Sequence, residues 1–257
     1  FDGKTGDEKF AYMPNAVFPA LSKLTAPTYI HRPFVDGPLL VTEANTTNGW
    51  KTVLAGTFGA GAQGVMALDV TDPEAFGVDK VMWEFTDKDD PDVGNITSQP
   101  KIAKVKRNGK TEYFIVVSGG YNNYQNDGKS NNVGDGYIFM LSVNKPQAAA
   151  WALGDNYFKF KLPITDAAGA NGVGGVSVDT DNAGFTTALF AGDLQGNLWK
   201  VIFPSDDPNS WKLSHGDTPF AVFSDPLKGE RQPVMAEPTL VAGPGKTTVV
   251  VVGTGRL

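Results

Sequence analysis

The densest chemistry in the chain is "DKDDPDVGN", where Asp87, Asp89, Asp90 and Asp92 stand close together. A hard cation such as Ca²⁺ gathers about six to eight oxygens, so acids at this density are candidate ligands. Lys88 and Pro91 interrupt any regular ligand spacing, however. The stretch therefore reads as a solvated loop opening the next structural unit, with a cation site as the alternative. Acid catalysis needs two carboxylates at a fixed separation, or an acid beside a histidine. The chain has two histidines, His31 and His215, and neither lies in an acid-rich motif. His31 is expected to pack or to bond a backbone carbonyl. Asp193, in "GDLQGN", is expected to accept backbone N–H bonds at its own turn. No G-x-S-x-G elbow occurs. The glycine-rich "GTFGAGAQG" (Gly56 to Gly64) is followed by "VMALDV", a strand, whereas a phosphate loop needs a helix N-terminus at that point. It reads as a tight hairpin. The loop beginning "YNNYQNDGKSNN" offers Tyr121 and Tyr124 as candidate binding residues, because tyrosine supplies contact area at small entropic loss. A variable loop with no partner fits it equally well.

These residues must be positioned by short strands. Four β-branched or aromatic runs end in glycine: Val53 to Gly56, Ile115 to Gly119, Leu189 to Gly192 and Val250 to Gly253. They recur at intervals of roughly 60–70 residues, longer than the tightest propeller repeats. Three of them turn into second strands, "GVMALDV", "GYIFMLSV" and "GNLWKVIF". Third strands carry an aromatic: "VMWEF" (Val81 to Phe85), the neighbourhood of Trp211, and "FAYM" (Phe10 to Met13). Units open with Pro-led strands, "SQPKIAKV", "AEPTLVA" and "VDGPLLV". Helix is scarce. "PQAAAWALGD" (Pro146 to Asp155) is the best candidate, at about two turns, and "PNAVFPALSKLTAPTYIHRP" holds another short helical turn. Repeated four-stranded units of this kind predict an all-β propeller, because one blade cannot cover its own two faces and stacking around an axis does so. The expectation is a single propeller domain over residues 1–257 with about four to five blades, part of a fuller propeller. "FDGKTGDEKFAY" reads as the second half of a hairpin and "VVVVGTGRL" as the first half of one.

The composition is that of a folded globular chain, 41% hydrophobic and 19% charged. Its 30 glycines and 17 prolines suit many turns. A formal charge of -6 and the lack of a basic stripe disfavour nucleic acid. There are no cysteines, so disulfides, thiolate metal sites and cysteine nucleophiles are excluded. The longest purely aliphatic run is Val249 to Val252, too short for a transmembrane span.

The strand–turn–aromatic pattern resembles quinoprotein-like blades, with "ALDVTDP...VMWEF" and "FDGKTGDEKFAY" matching loosely. A more specific resemblance rests on "GDLQGNLWK", "WKTVLAGTFGAGAQGVMALDVTDP", "FDGKTGDEKFAYMPNAVFPAL" and "HRPFVDGPLLV". Taken in order, these are similar to the C-terminal propeller of type IV pilus tip adhesins of the PilY1/PilC family, from Phe1 to about Leu257. That resemblance implies a secreted, non-enzymatic adhesion and pilus-biogenesis module at the bacterial pilus tip or outer membrane, relevant to pilus retraction and twitching. Its partners would be pilin and minor pilin subunits and a host or abiotic surface.

The resemblance also implies a calcium loop just before "AGDLQGN", spaced D-x-D-x-D-x-x-x-D, with a carbonyl at the seventh place. Carried onto this sequence, it falls on "DTDNAGFTT" as Asp179, Asp181, the carbonyl of Phe185, and Thr187. Ala183 stands where a third acid is expected and Thr187 where the last one is, so Ca²⁺ binding should be weak or absent. Asn182 is available to that site as a shifted ligand, and a plain Asx-rich turn between two strands is the alternative. Two other functions compete. A quinone-dependent dehydrogenase shares the blade pattern but needs Ca²⁺, a catalytic Asp and often adjacent cysteines, so no pyrroloquinoline quinone (PQQ) is expected. An envelope assembly scaffold differs from the adhesin mainly in its partner.

Overall fold

The computed structural model describes residues 1–123, 134–166 and 171–255. It is an all-β stack of antiparallel sheets. The first sheet runs β1 (Leu39–Thr46), β2 (Gly49–Thr57), β3 (Gly64–Asp69) and β4 (Val81–Thr86), each strand pairing with the next. The second repeats that order with β5 (Lys101–Arg107), β6 (Lys110–Ser118), β7 (Gly136–Ser142) and β8 (Tyr157–Leu162). The third has β9 (Val173–Thr180), β10 (Thr186–Asp193), β11 (Asn197–Ile202) and β12 (Lys212–Leu213), while β13 (Ala221–Val222) pairs with the other end of β11. The last sheet, among the described residues, is the β14 (Thr239–Ala242) and β15 (Thr248–Val251) pair. The glycine-ended runs thus lie on β2, β6, β10 and β15, and the strands that three of them turn into are β3, β7 and β11.

The two-residue side-chain period stacks these sheets face to face. On β6, Ile115 and Val117 join Val53, Ala55, Val65 and Phe85 between the first and second sheets. Their neighbours Phe114 and Val116 point the other way, to Leu189, Ala191, Trp199 and Val201 of the third sheet. β10 repeats the arrangement, sending Ala188 and Phe190 toward Leu240 and Val250 of the last sheet. A sheet buried on both faces needs apolar residues at consecutive positions, and Phe114 to Val117 are each at most 1% exposed.

Two local expectations differ from the structure. "FAYM" forms no strand; Phe10 stacks on Phe76 with ring centroids 3.9 Å apart, and Lys9 reaches Glu74 and Asp2. That segment is laid down by side chains, not by a backbone ladder. "PQAAAWALGD" is not helical. Trp151 is pulled into the cluster of Trp83, Phe85 and Tyr157, and its Nε1–H donates to the Glu84 carbonyl at 2.8 Å. Asn156 ties the turn further by bonding Ala152 N–H and the Ala150 carbonyl. Tertiary anchoring here overrides the helical propensity of four alanines. The stretch around Pro14 does hold a helical segment, a 3₁₀ helix at Asn15–Thr25.

Candidate functional site

The β10–β11 hairpin is a buried polar knot. Asp193 is fully buried. Its Oδ1 accepts the backbone N–H groups of Gln195 and Asn197, both at 2.9 Å. Its Oδ2 accepts Trp199 Nε1–H at 2.8 Å, Asn197 Nδ2–H at 2.9 Å and Asn171 Nδ2–H at 3.4 Å. A buried carboxylate is tolerated when its lone pairs are filled in this way. Gly196 closes the turn at φ 75°, a conformation that glycine adopts without strain. The side chains of Gln195 and Asn197 then hold the β8–β9 connection: Gln195 Oε1 accepts Thr165 N–H and Asp166 N–H, and Asn197 Nδ2–H donates to Thr165 Oγ1. Arg231 donates to Asn197 Oδ1 at 3.1 Å. Every polar atom of Asp193 is therefore spent on the fold, which leaves it no lone pair for acid–base chemistry.

Gly192, just before it, serves space rather than turning. A Cβ there would lie 2.2 Å from Val234 Cγ1. The chain segment carrying Val234 crosses directly over the strand, and its N–H donates to the Asp193 carbonyl.

The loop between β9 and β10 borders a hollow of about 590 Å³ together with the last sheet. Asp179, Asp181, Asn182 and Thr187 line it, but Phe185 does not. Asp181 Oδ1 accepts the N–H groups of Ala183 and Phe185, each at 2.9 Å. The Phe185 carbonyl accepts the Asp181 N–H at 2.8 Å. Asp179 Oδ2 accepts the Thr248 hydroxyl at 3.0 Å. Lys104 of β5 brings its ammonium to the Ala183 carbonyl at 3.0 Å and over the Phe185 ring at 4.2 Å, with Lys106 behind it at 5.4 Å. This donor set does not fit Ca²⁺. One carboxylate is folded back onto its own turn, the expected carbonyl is consumed, and an ammonium already sits at the loop where the third acid would stand. Among the described residues, no three acids, histidines or cysteines converge as a metal-binding group.

Tyr121 is partly buried against Gly172, and its hydroxyl points at Met235 Sδ, 4.0 Å away. Burial pushes its pKa above the ordinary value, a pull only partly offset by Thr97. It packs where the second and third sheets meet. Tyr124 lies outside the described residues. His31 is exposed, and its ring partner is the Tyr29 hydroxyl at 3.4 Å, not a backbone carbonyl.

The acid-rich stretch also differs from a plain solvated loop. Asp90 is 2% exposed and accepts the Tyr157 hydroxyl at 2.9 Å and the Lys159 ammonium at 3.0 Å. Asp92 accepts Lys159 as well, at 2.7 Å. Burial works against the Lys159 charge, but the two carboxylates outweigh it and raise the pKa. Burial and Asp90 likewise raise the Tyr157 hydroxyl. The available signal was "YFKFKL", where a lysine interrupts an otherwise apolar alternation and so asks for a buried partner.

Comparison with known proteins adds to this geometry. A family model described as the PilY1 beta-propeller domain matches residues 1–257. The chain is 32% identical over 262 residues to a type IV pilus biogenesis factor PilY1 homolog of Xylella fastidiosa, covering all of this chain and 17% of that protein. It is 32% identical over 283 residues to the type IV pilus biogenesis factor PilY1 of Pseudomonas aeruginosa, covering all of this chain and 22% of that one. The chain thus spans about a fifth of the length of these relatives. The crystal structure of the Pseudomonas aeruginosa PilY1 C-terminal domain superposes with a TM-score of 0.75 at 28% identity, over 98% of this chain and 49% of that one.

Proposed function

The chain belongs to the PilY1 β-propeller family, and from that premise we propose that it is a propeller segment of a type IV pilus biogenesis factor, acting by binding and not by catalysis. The observation that carries the reading is the match of the whole chain to that family at 32% identity to factors so named. The chemistry of the hairpin supports the non-catalytic half. The most buried acid, Asp193, is consumed by five donors, and the ring partners of the two histidines are the hydroxyls of Tyr29 and Ser214. In this reading the segment works outside the cell or at the outer membrane, at the pilus tip. Its partners are pilin and minor pilin subunits, and the assembled factor attaches to a host or abiotic surface. Stacked blades suit such a role because they present loops on a rigid frame.

The test is made in the bacterium that encodes the chain. The segment is deleted in frame from the full-length protein, and the protein is checked for stable accumulation. Sheared surface pili, twitching zones and attachment to a surface are then measured. Loss of surface pili and twitching is expected. Normal piliation and twitching with a stable deleted protein would overturn the assignment, and normal piliation with lost attachment would confine the segment to adhesion.

A further inference from the structure

A separate feature sits on the outer rim between the first and second sheets. The connection from β7 to β8 folds back over β4 and leaves a hollow of about 370 Å³. Trp83, Lys88, Asp89, Lys145, Gln147 and Trp151 line it. Lys145 is only 7% exposed. Its ammonium donates to the adjoining Pro146 carbonyl at 3.2 Å and lies 4.8 Å from the centre of the Trp151 ring. Among the described residues no carboxylate lies within ion-pair distance of it. Burial lowers its pKa, and Asp89 pulls the other way. Asp89 is exposed and turns one oxygen onto Thr86, accepting its N–H at 2.9 Å and its hydroxyl at 3.1 Å.

The second observation is independent. Trp83 Nε1–H is buried with no acceptor. Trp151, set edge-on to Trp83 with ring centroids 5.2 Å apart, has spent its own N–H on the Glu84 carbonyl. The hollow thus holds an ammonium whose one acceptor, the Pro146 carbonyl, leaves it further N–H groups to donate, beside an indole N–H that is closed off without an acceptor. Native proteins rarely leave such groups unmatched, and each one calls for an explanation. An ammonium in low dielectric also attracts a counter-charge strongly. Lys88, exposed on the same rim, adds a second positive charge, and Glu84 and Asp89 are the acids that line the hollow with it.

We propose that this hollow is a carboxylate-binding site, in which Lys145 supplies the ionic contact and Trp83 and Trp151 the wall. The carboxylate comes either from a small acid or from an acidic side chain of a bound polypeptide. The chemistry is the same in both, a planar anion with two acceptor oxygens. This site lies apart from the β10–β11 hairpin and does not depend on the pilus assignment.

The test uses the chain labelled with 5-fluorotryptophan, whose five tryptophans give separate fluorine resonances. Trp83→Phe and Trp151→Phe variants assign two of them. N-acetylglutamate, its neutral isostere N-acetylglutamine, and a capped peptide with two central glutamates are titrated at constant ionic strength. Saturable shifts of the Trp83 and Trp151 signals with N-acetylglutamate are expected, at least tenfold weaker with N-acetylglutamine. The glutamate peptide binding at least tenfold tighter than the free acid assigns the site to a polypeptide; equal or weaker binding assigns it to a small acid. Lys145→Met keeps the stem and removes the charge, and it should abolish the shifts while leaving the other three tryptophan signals in place. Lys145→Arg should retain them, and it serves as the probe if the methionine variant does not fold. Equal responses to the acid and its amide, or an unchanged response in Lys145→Met, would overturn the proposal.

Discussion

Replacing Asp193 by alanine isolates what the β10–β11 hairpin is for. The substitution removes a carboxylate that accepts from three buried donors, the N–H groups of Gln195 and Asn197 and the indole N–H of Trp199. Asn197 Nδ2 keeps the Thr165 hydroxyl and loses less. Each stranded donor costs about 1–3 kcal/mol. Water entering the vacated space returns part of that, so the net loss should be about 3–5 kcal/mol, as for breaking other buried charged networks. Against a whole-domain stability of about 5–15 kcal/mol this is a large fraction. For a chain of this size the melting midpoint should fall by roughly 6–20 °C. Asp193→Asn keeps the volume but turns an amide N–H toward groups that are themselves donors, and should lose a comparable amount. Asp181→Ala is the control. Its carboxylate also caps two backbone N–H groups, but in an exposed turn where water can replace it, so about 1 kcal/mol is expected. Urea and thermal unfolding, followed by tryptophan fluorescence and circular dichroism, measure all three. An Asp193→Ala midpoint within about 1 kcal/mol of the parent would refute the reasoning, because the buried donors would then have found other partners.

Further outcomes follow from the same contacts. Calorimetric titration with Ca²⁺ should give no saturable heat, and Asp179→Ala and Asp181→Ala should match the parent; a saturable heat abolished by either variant would restore the metal loop. Lys104→Met should lose about 1 kcal/mol, through the Ala183 carbonyl bond and the cation–π contact on Phe185, and unchanged stability in denaturant would show that the lysine does not hold the loop. Gly192→Ala should lose about 1–3 kcal/mol by overpacking, and Val234→Ala should restore little of it in a double-mutant cycle, because the new Cβ still meets the Cβ and the backbone carbonyl of residue 234 at 2.5 Å. Full rescue by Val234→Ala would argue against that backbone contact. Asp69 titrates below its ordinary 3.8: burial opposes the charge, but the Lys51 ammonium at 2.7 Å and the Thr71 bonds outweigh it. Its contribution is therefore complete above 3.8 and is lost as pH falls through the lower folded value. The stability gap between the parent and Asp69→Asn should close with acidification, and a gap independent of pH would contradict the assignment.

Much of the strand order was readable because a sheet covered on both faces leaves a dense apolar signature. Phe114 to Val117 and Leu189 to Ala191 needed no tertiary information to be recognised as strands. The failures have a common cause. "FAYM" and "PQAAAWALGD" carry ordinary local propensities, yet each is placed by an aromatic side chain docking on a distant partner: Phe10 on Phe76, and Trp151 against Trp83 and Phe85. Local pattern holds no record of such a partner. The acid-rich stretch failed in the same way, since the lysine and tyrosine that bury Asp90 lie 67–69 residues further on.

The sequence by itself determined the architecture. Repeated strand pairs and glycine-ended second strands leave few folds other than stacked antiparallel blades, and zero cysteines removed a whole class of chemistry. The likeness in "GDLQGNLWK" also pointed to the family. Tertiary structure alone decided the state of each polar group, because that depends on contacts from other blades. Only the packing of β5 against the β9–β10 loop puts the Lys104 ammonium on the Ala183 carbonyl. Only the return of the β7–β8 connection over β4 leaves Lys145 with a single carbonyl acceptor beside a Trp83 indole N–H that has none.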